Sequence, residues 1–230
     1  MARREDRLRE LATEIQQSHG VRAEVVACDV SDEKARERAV REIETRGLAV
    51  EVLVNNAGFG SAGRFQSTGK DNAISMVRTN VEAVVDFCGT YVPGMIDRDR
   101  GAVLNVASTA SFQPLPRQAT YCASKAFVLS FTEALSADLN GTGVTATALC
   151  PGPVPTEFGA AAGISPKLQE GPRVVFKEPE EVARTAVDAL AKGRRVVVPG
   201  IANRLGTLAG HYTPRSVAIP LLDRFYPVGK

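Results

Sequence analysis

Five short apolar runs recur along the chain with helical segments between them, and this alternation limits the fold more than any other feature. The runs are AEVVA (23–27), VEVLVNNAG (50–58), AVLNVAS (102–108), VTATALC (144–150) and RRVVVP (194–199). Between them, Leu8, Leu11 and Ile15 fall at helical spacing before His19–Gly20. A charged helix follows Ser31 or Asp32, either of which can cap it. A long helical stretch runs from about 71 to 92 and ends at Pro93–Gly94. Another covers about 121 to 140 and closes at Gly141 and Gly143. Pro179 opens a further helix, with Glu180 and Glu181 in its first turn, that ends at Lys192–Gly193. Strands apolar on both faces and separated by helices predict a parallel sheet covered on both sides. The expected class is therefore α/β, doubly wound, with three α/β/α layers, in a single domain over 1–230. The tail from 201 reads as a helix followed by coil. Residues 159–177, rich in Ala, Pro and Gly, read as a substrate flap.

Charge and cysteine usage exclude several functions. The 28 basic and 26 acidic side chains nearly balance, and no basic run of the kind that tracks a phosphate backbone is present. Nucleic acid is not an expected partner. Cys28, Cys88, Cys122 and Cys150 have no metal-ligand or CxxC spacing, so no metal is expected and they read as buried free thiols suited to a reducing cytoplasm. His19 and His211 are the only histidines, too few for histidine-based hydrolysis. The sequence shows no membrane-length apolar run and no signal peptide, so a cytoplasmic location is expected.

Ligands of parallel α/β sheets sit beyond the carboxyl ends of the strands. Polar residues gather at such ends: Asp29, Asn55 to Gly58, Ser108, and Pro151 to Thr156. Tyr121 and Lys125 in YCASK are four apart, on one helical face. An ammonium there favours the phenolate and lowers the phenol toward useful acidity. Alone, the pair is equally what an ordinary helix carries. Ser108, at a strand end thirteen residues earlier, can hydrogen-bond the oxygen that Tyr121 protonates, or can be a simple turn serine.

NNAG at 55–58, Asn80 in RTNVEAVV, NVAS at 105–108, YCASK at 121–125 and PGPVPT at 151–156 together resemble the short-chain dehydrogenase/reductase family in order and spacing. The resemblance implies a Rossmann-type fold and a carbonyl–alcohol oxidoreductase using NAD(P)(H). Tyr121 would be its general acid and base, and Lys125 would hold the nicotinamide ribose and tune the tyrosine. Ser108 would orient the carbonyl, and Asn80 would hold a relay water. It further implies cofactor contacts from Asp29 with Val30, from Asn55, Ala57 and Gly58, from Pro151 and Gly152, and from Val154 and Thr156. Arg3 and Arg4 match the place where a basic side chain meets an adenosine 2′-phosphate, which favours NADP(H) over NAD(H). The implied partners are a small carbonyl or alcohol substrate, apolar in view of Phe112, Leu115 and Phe158, and further copies of the chain. Ala83, Val84, Ala126 and Val128 suit such a homodimer or homotetramer, and suit an ordinary core equally.

The same resemblance implies a TGxxxGxG phosphate loop after the family's first strand. The sequence opens at the end of the second family strand, so the fold is expected to lack its first strand and most of the second, about 30 residues in all. Two readings stay open: a natural enzyme that begins earlier, or an inactive relative serving as a binding scaffold. Gly58 to Gly63 spell GxGxxG, yet they follow NNAG without the ~30-residue βαβ unit that a dinucleotide fingerprint needs, and are read as a decoy.

Overall fold

The computed structural model describes residues 1–163 and 173–225. Of the flap expected at 159–177, residues 164–172 lie outside the described residues. The chain divides into two compact units, Met1–Val50 and Glu51–Lys230.

The first unit carries two helices, α1 (Glu5–His19) and α2 (Glu33–Thr45). Asp32 caps α2: its carboxylate accepts the Ala35 N–H at 2.7 Å, satisfying a donor that every helix start leaves open. Val26, Cys28 and Ala39 form a small core with Val30, Ala35 and Ile43 against it. The expected strand AEVVA is reduced to one parallel bridge, Ala2 to Ala27. A strand is held by its ladder, and within this unit the run finds a single pairing residue.

The second unit is built on four parallel strands in the order β1-β2-β3-β4. They are β1 (Val52–Asn55), β2 (Gly101–Val106), β3 (Val144–Leu149) and β4 (Val196–Val197). The register sets Leu53 beside Val103 and Val103 beside Ala146. Side chains alternate along a strand, so Leu53, Asn55, Val103 and Asn105 share one face while Val54, Leu104, Leu149 and Val197 share the other. The first face is covered by α5 (Ala83–Asp97) and α6 (Ala119–Asp138), which bury Val84, Phe87, Cys88, Val128 and Thr132. On the second face, α8 (Pro179–Ala191) packs Val182, Ala186 and Ala189 on Leu104, Leu149 and Val197. That cover stops short of β1, where Val52 and Val54 remain 53% and 51% exposed.

Two expectations are corrected in this unit, those for the long helix and for the tail. The long helix is two helices, α4 (Lys70–Val77) and α5, joined through a π-turn at Arg78–Glu82, with a short α3 (Phe65–Thr68) ahead of them. It runs through Pro93 to Asp97, because Val92 and Met95 bury on either side of the proline and that packing overrides one lost backbone bond. Of the residues that suit an oligomer face or a core equally, Ala83, Val84 and Val128 are in the core, and the large apolar side chains exposed on α5 and α6 include Val85, Ile96 and Phe127. The tail is two helices, α9 (Ile201–Tyr212) and α10 (Arg215–Phe225), where one helix and coil were expected. Thr213, extended before Pro214, breaks α9, and Pro214 stands just ahead of α10, where a missing N–H is not needed.

Candidate functional site

Ser108 begins a 3-10 turn, Thr109–Phe112, directly after β2. Its hydroxyl accepts the Ala110 N–H at 3.1 Å, and it is near enough to the Tyr121 phenol to lower that group's pKa. The Ser108 N–H donates to Ser111 Oγ at 3.3 Å, and Ser111 Oγ donates to the Lys125 carbonyl at 2.8 Å. The serine turn is thereby pinned to the helix that carries both Tyr121 and Lys125.

Tyr121 lies in the first turn of α6, half-buried, its ring 5.7 Å from that of Phe158 in α7 (Glu157–Ala161). Burial pushes the phenol above its ordinary value, and the nearby Ser108 hydroxyl opposes that shift. This direction is opposite to the one expected from the Tyr–Lys spacing. Lys125 is not among the groups that shift the phenol; its Nζ donates to the Val106 carbonyl at 2.7 Å. Lys125 is only 5% exposed, and burial lowers its ammonium from 10.5 to about 8. Burial also pushes the Cys150 thiol up to about 12, so the sulfur near Lys125 stays neutral.

An ammonium has three donors, and Val106 takes one. The others look onto bare backbone: a Cβ placed on Gly58 would lie 3.3 Å from Lys125 Nζ and 3.1 Å from Asn80 Oδ1. Asn80 sits in the π-turn, fully buried. Its Oδ1 accepts the Phe59 N–H at 3.1 Å, and its Nδ2 donates to the Phe59 carbonyl at 2.9 Å and to Ser124 Oγ at 3.0 Å. Ser124 Oγ in turn donates to the Tyr121 carbonyl at 2.7 Å. The Asn80 amide thus fastens the turn after β1 to α6.

The remaining predicted residues of this unit divide. Asn55 points into the sheet: its Nδ2 donates to Asn105 Oδ1 at 2.8 Å, and Asn105 Nδ2 donates to Thr132 Oγ1 at 2.9 Å. Ala57 is exposed and Gly58 half-buried in the turn. The Pro151 carbonyl accepts the Thr109 N–H at 2.9 Å, joining the loop after β3 to the serine turn. A Cβ on Gly152 would meet the Asn203 amide at 2.5 Å, so only glycine lets the loop pass there. Val154 packs on the core under α8, and Thr156 caps α7 by accepting the Phe158 N–H at 3.3 Å.

Residues 1–165 match the family model described as short chain dehydrogenase. The chain belongs to the short chain dehydrogenase family. A sulfoacetaldehyde reductase of Chromohalobacter salexigens is 40% identical over 158 residues, 68% of this chain and 62% of that protein. A short chain dehydrogenase of Pseudocercospora fijiensis is 38% identical over 162 residues, 70% of this chain and 52% of that one. The chain therefore spans between half and two thirds of the length of these curated relatives. Among solved structures, that of a 7beta-hydroxysteroid dehydrogenase aligns with a TM-score of 0.83 at 28% identity, covering 96% of this chain and 85% of that chain. A short-chain dehydrogenase from Sphingobium yanoikuyae in complex with NADPH aligns at 0.78 and 27%, covering 90% and 80%.

Four of the predicted cofactor residues belong to the first unit. Asp29 accepts the Ser31 N–H at 3.0 Å and the Ser31 hydroxyl at 2.8 Å, and the Ser31 bonds hold its carboxyl below the ordinary value. Arg3 reaches the same carboxylate at 3.9 Å. Arg4 is exposed one residue on. Val30 is half-buried, and its carbonyl accepts from Arg36 Nη1 at 2.8 Å.

Sequence reasoning missed Ser111, Ser124 and Asn203. The two serines carried no signal beyond lying near Ser108 and Tyr121. Asn203 Nδ2 donates to the Pro199 carbonyl at 2.9 Å and the Val175 carbonyl at 3.0 Å, which fixes the loop that Gly152 crosses. An amide just inside a helix that follows the Pro199–Gly200 break was its only trace.

Proposed function

We propose that this dehydrogenase interconverts a carbonyl group and a secondary alcohol with a nicotinamide cofactor, with Tyr121 as the general acid and base. The observation that carries the reading is the convergence of the serine turn after β2 on the helix that holds Tyr121 and, one turn on, the buried cation of Lys125, fastened by Ser111 to the Lys125 carbonyl. The residues fit the nicotinamide end of such a cofactor. Lys125 keeps donors beyond its bond to Val106, and the backbone at Gly58 has no side chain to fend off a sugar. When bound, the nicotinamide supplies or accepts the hydride.

In reduction, Tyr121 Oη gives its proton to the substrate oxygen, and in oxidation it takes one back. Ser108 Oγ hydrogen-bonds that oxygen as charge develops on it. Lys125 donates to the ribose hydroxyls with the donors that Val106 leaves free. The Asn80 amide uses both of its donors on Phe59 and Ser124, so the main-chain carbonyl of Asn80 is the group assigned to hold a relay water.

Arg3 and Arg4, with Asp29 and Val30, are proposed to meet the adenosine end and to favour NADP(H); the NADPH complex of the Sphingobium relative supports that choice. Asn55, Ala57, Pro151, Gly152, Val154 and Thr156 are proposed to shape the rest of the cofactor cleft, Asn55 and Val154 from behind it. Phe112, Leu115 and Phe158 favour an apolar substrate. Val85 and Phe127, 39% and 42% exposed, favour a homo-oligomer built on α5 and α6. The buried free thiols Cys28, Cys88, Cys122 and Cys150 suit a reducing cytoplasm. Among the described residues no helix is long and apolar enough to cross a membrane.

Titration of the protein into NADPH and NADH, read by nicotinamide fluorescence, tests the reading together with turnover of an apolar ketone panel. Saturable enhancement, tighter for NADPH, with ketone-dependent loss of absorbance is expected. Absence of binding by either nucleotide would leave the inactive scaffold as the better reading.

A further inference from the structure

The helix α9 is turned inside out. Its buried side is Asn203, Thr207 and Gly210, whereas Ile201, Leu205, Leu208 and Tyr212 are 76%, 62%, 54% and 77% exposed. At 3.6 residues per turn these four side chains fall within roughly 60° of arc, one narrow stripe opposite the buried side. In α10, Val217 and Leu221 lie one turn apart and are 57% and 52% exposed.

Both helices are fixed parts of the second unit. The Arg215 guanidinium donates to the Phe112 carbonyl through both Nη1 and Nη2 at 3.2 Å, and Arg117 pairs with Asp223 at 2.9 Å. The stripe is therefore presented in a set orientation. Family-model similarity ends at residue 165, ahead of both helices.

The charge around the stripe is of one sign. Arg204 lies along its edge on α9, and Arg224 lies on α10 on the side of Val217 and Leu221. From residue 201 to 225 the one acid is Asp223, already paired with Arg117. A narrow apolar stripe edged by arginines is the pattern of a helix lying in the headgroup plane of an anionic bilayer. We infer that the outer face of α9 and α10 docks on an anionic lipid surface. None of the residues assigned to the reaction takes part in this face, so the docking stands or falls apart from the catalytic reading.

The test is flotation of the whole protein with vesicles of phosphatidylcholine alone and of phosphatidylcholine with about 30–40% phosphatidylglycerol, a mole fraction on the order of natural anionic surfaces. Expected is co-flotation with the anionic vesicles at least about tenfold above that with neutral ones, reduced in high salt. Leu205→Glu with Leu208→Glu should abolish it, and Arg204→Gln with Arg224→Gln should weaken it severalfold. The chain has no tryptophan, so Leu208→Trp supplies a reporter whose emission should shift to the blue on the same vesicles. That reporter keeps the test decisive if the glutamate variant fails to fold. Lipid docking is overturned if the protein stays with the unbound fraction and the indole emission of the Leu208→Trp variant does not move. It is equally overturned if that emission shifts with protein concentration alone, which would assign the stripe to a second copy.

Discussion

Lys125 Nζ donates to the Val106 carbonyl at 2.7 Å, so the cation expected to assist Tyr121 is held by the end of β2. The bond gives a buried ammonium one partner where water would supply three. Its value near 8 against an ordinary 10.5 is the consequence. Between those values the unfolded chain keeps the proton that the folded chain releases, so stability rises with pH from about 8 to 10.5. Below about 8 the penalty of the buried charge is fully present. Lys125→Met should therefore raise the melting temperature at pH 7 by several degrees, a gain of about 1–2 kcal/mol after the lost Val106 bond is counted. The same variant should lose turnover. Scanning calorimetry at pH 7 and pH 10 checks the sign: the gain should shrink at the higher pH.

The charge of Lys125 should also govern nucleotide binding. NADPH affinity is expected to fall as pH passes about 8, where the ammonium is lost, and to be flat there in Lys125→Met. Fluorescence titrations from about pH 6.5 to 9.5 measure this directly.

Gly152 and Asn203 should be energetically coupled. The Asn203 amide is gripped by two carbonyls and cannot swing from a Cβ at 2.5 Å. Gly152→Ala is expected to cost about 2 kcal/mol in urea unfolding, and less than half of that in an Asn203→Ala background.

The alternation of apolar runs and helices made the parallel sheet legible, because strands covered on both faces are apolar throughout and the helices between them keep helical spacing. Of the candidate site, Ser108 was legible as a hydroxyl at a strand end, and Tyr121 and Lys125 as a pair on one helical face. What escaped depends on packing. AEVVA reads as a strand but needs a neighbour to become one, and the first unit offers it Ala2 alone. Pro93 reads as a stop, yet Met95 buries beyond it. The fall of the Lys125 ammonium follows from burial and from the Val106 carbonyl, neither of which is a property of YCASK. The outward stripe of α9 was hidden for the opposite reason: its spacing is that of a core-facing helix, and only the fold shows Asn203 facing inward instead.

Asn55, Asn105 and Thr132 form a buried chain of amides and hydroxyl that joins β1, β2 and α6 beneath the candidate site. Asn105→Ala strips the Asn55 amide of its acceptor and Thr132 of its donor. A loss of about 2–4 kcal/mol in unfolding free energy is expected, well above that of an exposed asparagine.

On β1, Val52 and Val54 present an apolar row at a strand that pairs with β2 alone among the described strands of its unit. Val52→Thr with Val54→Lys should lower light scattering of concentrated protein on warming without lowering the melting temperature by more than about 1 kcal/mol equivalent.

The central claim is that the phenol of Tyr121 carries the proton, and Tyr121→Phe tests it most directly. The variant keeps the ring against Phe158 and removes one oxygen. Steady-state reduction of a ketone accepted by the unaltered protein should fall by about 10²-fold or more, with the NADPH dissociation constant changed by less than about threefold. A variant that keeps most of its turnover would contradict the account.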